Sequence, residues 1–133
     1  MPERAALAEF AAALQRRLAK GRAFTCLLTG DDELRRLNRR FRGKNQATDV
    51  LSFPSAGPAT GLGDIAVSLD RARAQAREFG HRLGDELRIL MLHGVLHLTG
   101  FDHEADSGEM ARAEQAWRKK LGLPAGLIER VNA

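Results

Sequence analysis

Cysteine is almost absent from this chain. Cys26 is the only one in 133 residues, so no intramolecular disulfide is possible. That excludes the cross-linked framework of small secreted domains and fits a reducing cytoplasm with no disulfide-linked partner. Cys26 itself lies in a strand-like run and reads as a small core residue. Long apolar runs are also missing. None approaches the roughly 20 residues of a membrane span, so no membrane association is expected. The N-terminus carries Glu3 and Arg4 and lacks a continuous apolar segment, so no signal peptide is expected. Repeats and low-complexity tracts are lacking too. What remains is an ordinary enzyme-sized chain with 44% hydrophobic residues. A single domain over residues 1–133 is expected, long enough to bury about two-thirds of its unfolded surface.

Acidic residues are outnumbered, 17 against 21 basic, for a net charge of +4. Arg35, Arg36, Arg39, Arg40, Arg42 and Lys44 fall within ten residues, and Arg16, Arg17, Lys20 and Arg22 form a smaller group. Such blocks attract polyanions, and nucleic acid is the partner they suggest. The plain alternative for any single arginine is a solvated helix face.

Periodicity gives the organisation. Residues 2–20 place Leu7, Phe10, Ala11, Leu14 and Leu18 on one helical face. Residues 23–28 predict a strand. Asp31 reads as the N-cap of a helix turning Leu34, Leu37 and Phe41 inward. Residues 42–46 form a basic loop, 48–53 a strand stopped by Pro54, and 55–61 a flexible connection. A strand at 64–68 and a helix at 70–79, closed by Gly80, follow. Residues 85–98 predict a helix. Residues 106–121 predict a last one, with Met110, Ala113, Trp117 and Leu121 inward and Pro124 as its stop. Strands come early and helices late. The fold class expected is α+β: a small mixed sheet of three or four strands packed with about five helices.

Histidine is scarce as well, with four in the chain, yet three of them are His93, His97 and His103. Given His93, composition alone places histidine at both later positions about once in a thousand. On a helix, residues four apart share a face, so the first two rings can converge on one ion. Gly100 can end that helix in the left-handed conformation and let the chain return His103 to the same point. From Ile89 to Leu98 the other residues are apolar on every side, which predicts a central helix whose histidines need partners. Three imidazoles leave a zinc-type ion an open position, as catalytic rather than structural sites do.

The spacing matches the long metzincin zinc motif at every fixed position except one. Gly94 stands where that motif has its general base, Glu, which counts against peptide hydrolysis. Gly94 suggests instead that another backbone approaches the helix closely.

The run from His93 to His103, preceded by Asp85-Glu86-Leu87, resembles the signature of the YbeY family of bacterial endoribonucleases, the rRNA maturation factors. Phe41-Arg42-Gly43-Lys44, the stretch from Thr48 to Pro54 and Leu62-Gly63-Asp64-Ile65 extend the resemblance, which covers residues 34–117. It implies a metal-dependent, single-strand-specific endoribonuclease acting in 16S rRNA 3′-end maturation and ribosome quality control, with a zincin-like central helix. His93, His97 and His103 would bind zinc, and Arg42 matches the family's functionally important arginine. Single-stranded RNA, rRNA and the small ribosomal subunit are the implied partners. The chain departs from the pattern at Phe41 and Phe101, where the family often has Tyr, and at Asn45-Gln46-Ala47. Many members also have a strand ahead of the first helix, so one edge strand of the sheet is expected to be missing.

Within that reading Arg42 offers a planar fork for phosphate, and Arg39, Arg40 and Lys44 would hold flanking phosphates or stay in solvent. Asp102 would orient His103 or act on water, or is a turn residue after Gly100. Glu86 shares the His93 face but lies about 10 Å away by helical rise, too far to be a ligand. His81 reads as a surface residue, and Asp49 and Asp64 as strand starts near the cleft. Two other classes stay open: a zincin-type peptidase, and a non-catalytic ribosome-assembly factor with a structural zinc. Nickel, copper or iron would also suit three histidines.

Overall fold

A helix that is apolar all round must be buried all round, and the histidine segment is. In the computed structural model, which describes residues 2–56 and 61–132, it forms a helix over Leu83–Leu98. Every residue from Ile89 to Leu96 is buried. In chain order the elements are α1 (Pro2–Arg17), β1 (Phe24–Thr29), α2 (Asp31–Arg42), β2 (Val50–Pro54), β3 (Gly63–Ser68), α3 (Leu69–Phe79), α4 (Leu83–Leu98), α5 (Glu109–Lys120) and α6 (Leu127–Asn132). Part of the connection expected at 55–61 lies outside the described residues.

The sheet is mixed, in the order β1-β3-β2, with β1 parallel and β2 antiparallel to the central strand. Strand side chains alternate between faces. Ile65 and Val67 of β3 turn toward α4, while Ala66, with Leu51 of β2, packs on Leu34 of α2. The architecture is therefore the α+β class expected, with three strands among the described residues.

Several expectations are corrected by local chemistry. A sixth helix, α6, follows Pro124, which was expected only to stop the chain's last helix. The N-cap of α2 is Gly30; Asp31 is already helical, and its carboxylate accepts from Ser68 Oγ at 2.6 Å. Ser68 in turn caps α3, accepting from Arg71 N, so that helix begins at Leu69 rather than 70. The last long helix begins at Glu109, not at 106. Asp106 instead uses its carboxylate to accept from Gly108 N and Met110 N, both at 2.9 Å, outside the helix. Phe41 is not inward. It is 58% exposed and meets Phe53 edge-on, because β2 is the edge of the sheet and, among the described residues, no strand beyond it covers the ring.

Gly94 does permit a close approach, but by side chains rather than by backbone. A Cβ there would lie 3.0 Å from Ile65 Cγ2 and 3.3 Å from Val50 Cγ2. Ser52 Oγ also donates to the Gly94 carbonyl at 3.0 Å, tying β2 to the helix beside His93. Burial pushes the Cys26 thiol up to about 11, which keeps it protonated and unreactive, consistent with its place against the core.

Gly94→Ala weighs a helix-propensity gain of about 1 kcal/mol against overpacking of roughly 1–3 kcal/mol. A net loss of stability in urea unfolding is expected, and a larger loss for Gly94→Val. Unchanged midpoints for both variants would mean that the sheet yields freely at this contact.

Candidate metal centre

His93 and His97 lie one turn apart on α4, with ring centroids 4.9 Å apart. The helix ends at Leu98. Gly100 then adopts φ 110°, a conformation that suits glycine, and Phe101 N donates back to Leu96 O at 3.2 Å. That reversal returns His103 to within 5.5 Å of the His93 ring and 5.4 Å of the His97 ring. One ligand nitrogen from each histidine falls within 4.8 Å of the others. A cluster of three imidazoles at that spacing could hold one ion.

The donor set also fits an ion chemically. His93 Nδ1 lies 2.7 Å from Glu114 Oε2, and His97 Nδ1 lies 2.9 Å from the Phe101 carbonyl oxygen. An ionised carboxylate and a carbonyl only accept, so these partners place the imidazole protons on Nδ1. The Nε2 lone pairs are left for a metal, the arrangement that such outer partners enforce at metal-binding histidines. Burial holds the His97 pKa below its ordinary value, and the neighbouring His93 adds to this, against the Phe101 carbonyl. A lowered pKa keeps the ring neutral, which is the ligand form. Among the described residues the cluster has three members, so no fourth protein ligand closes it.

Glu114 was missed by sequence reasoning, although a signal existed. It stands four residues after Met110 and three before Trp117, and so falls on the inward face of α5, where it is fully buried. A carboxylate on a buried face needs partners.

The three histidines line a cleft of about 930 Å³ that also takes in Arg42 and Asp102. Arg42 is the last residue of α2 and is placed by its C-cap. Gly43 adopts φ 69°, with its N–H donating to Arg39 O. The following loop is pinned rather than loose. Asn38 Nδ2 donates to Gln46 O and Arg35 Nε to Asn45 Oδ1, each at 2.9 Å. Arg39, Arg40 and Lys44 are exposed and are not among the residues that line the cleft. Asp102 accepts from Glu104 N at 3.1 Å, so it shapes the turn that carries His103 while facing the cleft.

Other residues fall out differently. Asp49 lines the cleft and accepts from Gln75 Nε2 at 3.2 Å, whereas Asp64 is exposed outside it. Glu86 is buried and paired with Arg130 of α6 at 2.9 Å, far from any ligand role. His81 is half-buried and stacks on Phe79, so it is not a plain surface residue.

A family model described as Endoribonuclease YbeY matches residues 4–122. This chain belongs to the Endoribonuclease YbeY family. It is 65% identical over 130 residues to the Endoribonuclease YbeY of Solibacter usitatus, covering 98% of this chain and 87% of that protein. Identity to the Endoribonuclease YbeY of Nautilia profundicola is 54% over 105 residues, covering 78% and 76% of the two chains. Among solved structures, the solution structure of a Thermotoga maritima protein superposes with a TM-score of 0.62 at 30% identity, covering 86% of this chain and 80% of that one. The resemblance carried by the histidine run and the Arg42 segment is thus a family relationship over nearly the whole chain.

If the three histidines bind one ion, replacing any one of them leaves two imidazoles to hold it. His93→Ala, His97→Ala and His103→Ala should each lower bound metal to a small fraction of wild type, measured by mass spectrometry of the native protein. The melting temperature in the presence of zinc should also fall, because an ion bound only by the folded state adds to its stability. Full metal content in all three variants would exclude this cluster as the site.

Proposed function

We propose that residues 1–133 form a metal-dependent, single-strand-specific endoribonuclease domain. In this reading it acts in the cytoplasm on 16S rRNA 3′-end maturation and in quality control of the small ribosomal subunit. The observation that carries the proposal is one cleft lined by three converging histidines and Arg42, in a chain of the Endoribonuclease YbeY family. The net charge of +4 and the arginine-rich end of α2 suit a polyanionic substrate. No helix among the described residues is long and apolar enough to cross a membrane.

His93, His97 and His103 would hold zinc. When bound, the ion supplies Lewis-acid polarisation of a phosphoryl oxygen and acidifies water. The protein's own groups supply the rest. Arg42 presents two parallel N–H donors to the scissile phosphate and offsets charge that grows on it. Glu114 and the Phe101 carbonyl keep the imidazole protons on Nδ1. Of the two carboxylates that flank His103 and line the cleft, Asp102 and Glu104, Asp102 would receive the proton of the attacking oxygen, since Gly94 cannot. Arg39, Arg40 and Lys44 lie outside the cleft and would hold phosphates on either side of the cleaved one. Phe41, exposed and with the Arg40 guanidinium 5.3 Å from its ring centre, offers an apolar face among those cations.

The direct test is cleavage of a single-stranded RNA and of its duplex, with and without chelation. Cleavage of the single strand that is lost with chelator and restored by zinc is expected. Equal cleavage of both substrates, or of neither, would remove the reading.

Arg42→Ala should cost roughly 10²–10³ in cleavage rate, by analogy with the loss of one oxyanion donor. Metal content and melting temperature should barely move, because the side chain is exposed in the cleft. Arg42→Lys should recover only part of the rate, as an ammonium keeps the charge but not the fork. Wild-type cleavage by Arg42→Ala would take the residue out of the mechanism.

Charge reversal at Arg39 and Arg40 should weaken RNA binding and flatten its salt dependence, since each lost phosphate contact removes counterion release. An unchanged slope of log affinity against log salt would show that both arginines only face solvent.

A further inference from the structure

The carboxylate that orients His93 has a second partner, on the C-terminal helix. Glu114 Oε2 meets His93 Nδ1 at 2.7 Å, and Oε1 accepts from Ile128 N at 2.9 Å. Glu114 is fully buried, so these two donors are what stabilise its charge in the core. The segment that brings Ile128 there is held from two sides. Arg130 reaches Glu86 of α4 with bonds of 3.1 and 2.9 Å, and Glu129 reaches Arg118 of α5 with bonds of 2.8 and 2.9 Å. At Gly126 the backbone passes so close that a Cβ would lie 2.7 Å from Glu114 Cδ and 2.8 Å from Cγ.

We propose that α6 and Gly126 act with Glu114 as a positioning device for the metal ligand His93, coupling the docking of the C-terminal segment to metal affinity. The proposal rests on the three histidines being metal ligands. The physical argument is short. The His93 ring is fixed by Glu114, and Glu114 is fixed only while Ile128 N–H and the glycine backbone are in place. Undocking α6 leaves the carboxylate free to turn away from Nδ1, and the ring loses both its orientation and the added basicity at Nε2. Coupling of this kind is reciprocal, so an ion on the histidines must also strengthen the docking of α6.

The test uses the full chain and zinc alone. Zinc affinity is measured by competition with a chromophoric chelator for wild type, Glu114→Gln and Gly126→Ala. In Glu114→Gln one side-chain oxygen must serve two donors, because the amide nitrogen cannot accept. A 10–100-fold weaker affinity is expected for it, the range found when outer partners of metal ligands are lost. A loss of similar size is expected for Gly126→Ala, which touches no ligand. The His93 imidazole nitrogen shifts should show loss of the Nδ1-protonated tautomer in both variants. In wild type, zinc should slow hydrogen exchange at the Ile128 amide more than at amides of α3. If Gly126→Ala does not fold, the exchange measurement on wild type decides. Zinc binding by wild type with no slowing at Ile128, or with unchanged affinity in a folded Gly126→Ala, overturns the coupling. A merely structural role would lower the melting temperature without zinc and leave the affinity of the folded protein unchanged. Failure of wild type to bind zinc at all would overturn the metal reading beneath it.

Discussion

Two imidazoles, one buried and one half-buried, on a helix whose Ile89–Leu96 stretch lies in the core set the terms for the rest of this structure. Ile89 to Leu96 sit in the core, and His93 sits there with them. A buried polar ring is costly unless each nitrogen has a partner. One nitrogen of each ring is met by the protein, through Glu114 for His93 and the Phe101 carbonyl for His97. The other turns to the cleft that His103 completes. The chain beyond the helix follows from this. It must reverse at once to supply the Phe101 carbonyl and His103, and α5 must present a carboxylate to the helix interior.

The sheet serves the same end from the other side. Ile65 and Val50 fill the space that Gly94 leaves empty, and Ser52 bonds its carbonyl. The side chain missing at position 94 is the one that a metalloprotease uses as its base. Here the position is given to packing. The end of α2 adds Arg42 to the polar lining of the cleft, where a left-handed glycine and two side-chain anchors fix the loop beside it. That loop is held by hydrogen bonds from Asn38 to Gln46 and from Arg35 to Asn45.

Local patterns carried far in this chain. The spacing of His93, His97, Gly100 and His103 encodes a helix face and a reversal, both of which depend on near neighbours only. The amphipathic helices and the strands were legible for the same reason. Three local readings were overturned, two by tertiary surroundings and one by a short-range competition for backbone N–H groups. Asp31 has the residue type and position of an N-cap, but Gly30 is the cap and the Asp31 carboxylate accepts from Ser68, 37 residues away. Phe41 fits the inward stripe of α2, yet α2 reaches the edge of the sheet and no further strand among the described residues covers the ring. Asp106 holds two backbone N–H groups from outside the helix that it was expected to begin.

The sequence by itself determined the grouping of three histidines, the α+β class, the central helix and the basic end of α2. Each is written in periodicity, spacing or composition, which backbone geometry translates without reference to the rest of the chain. Only the tertiary structure decided that Glu114 holds His93 from 21 residues away. The same holds for the pairing of Glu86 with Arg130 and for the entry of Arg42, but not Arg39, Arg40 or Lys44, into the cleft. Those outcomes depend on which surfaces the packed elements bring together. A glutamate on the inward face of α5 has no meaning in one dimension; it acquires one when α4 lies against it and its charge must be met.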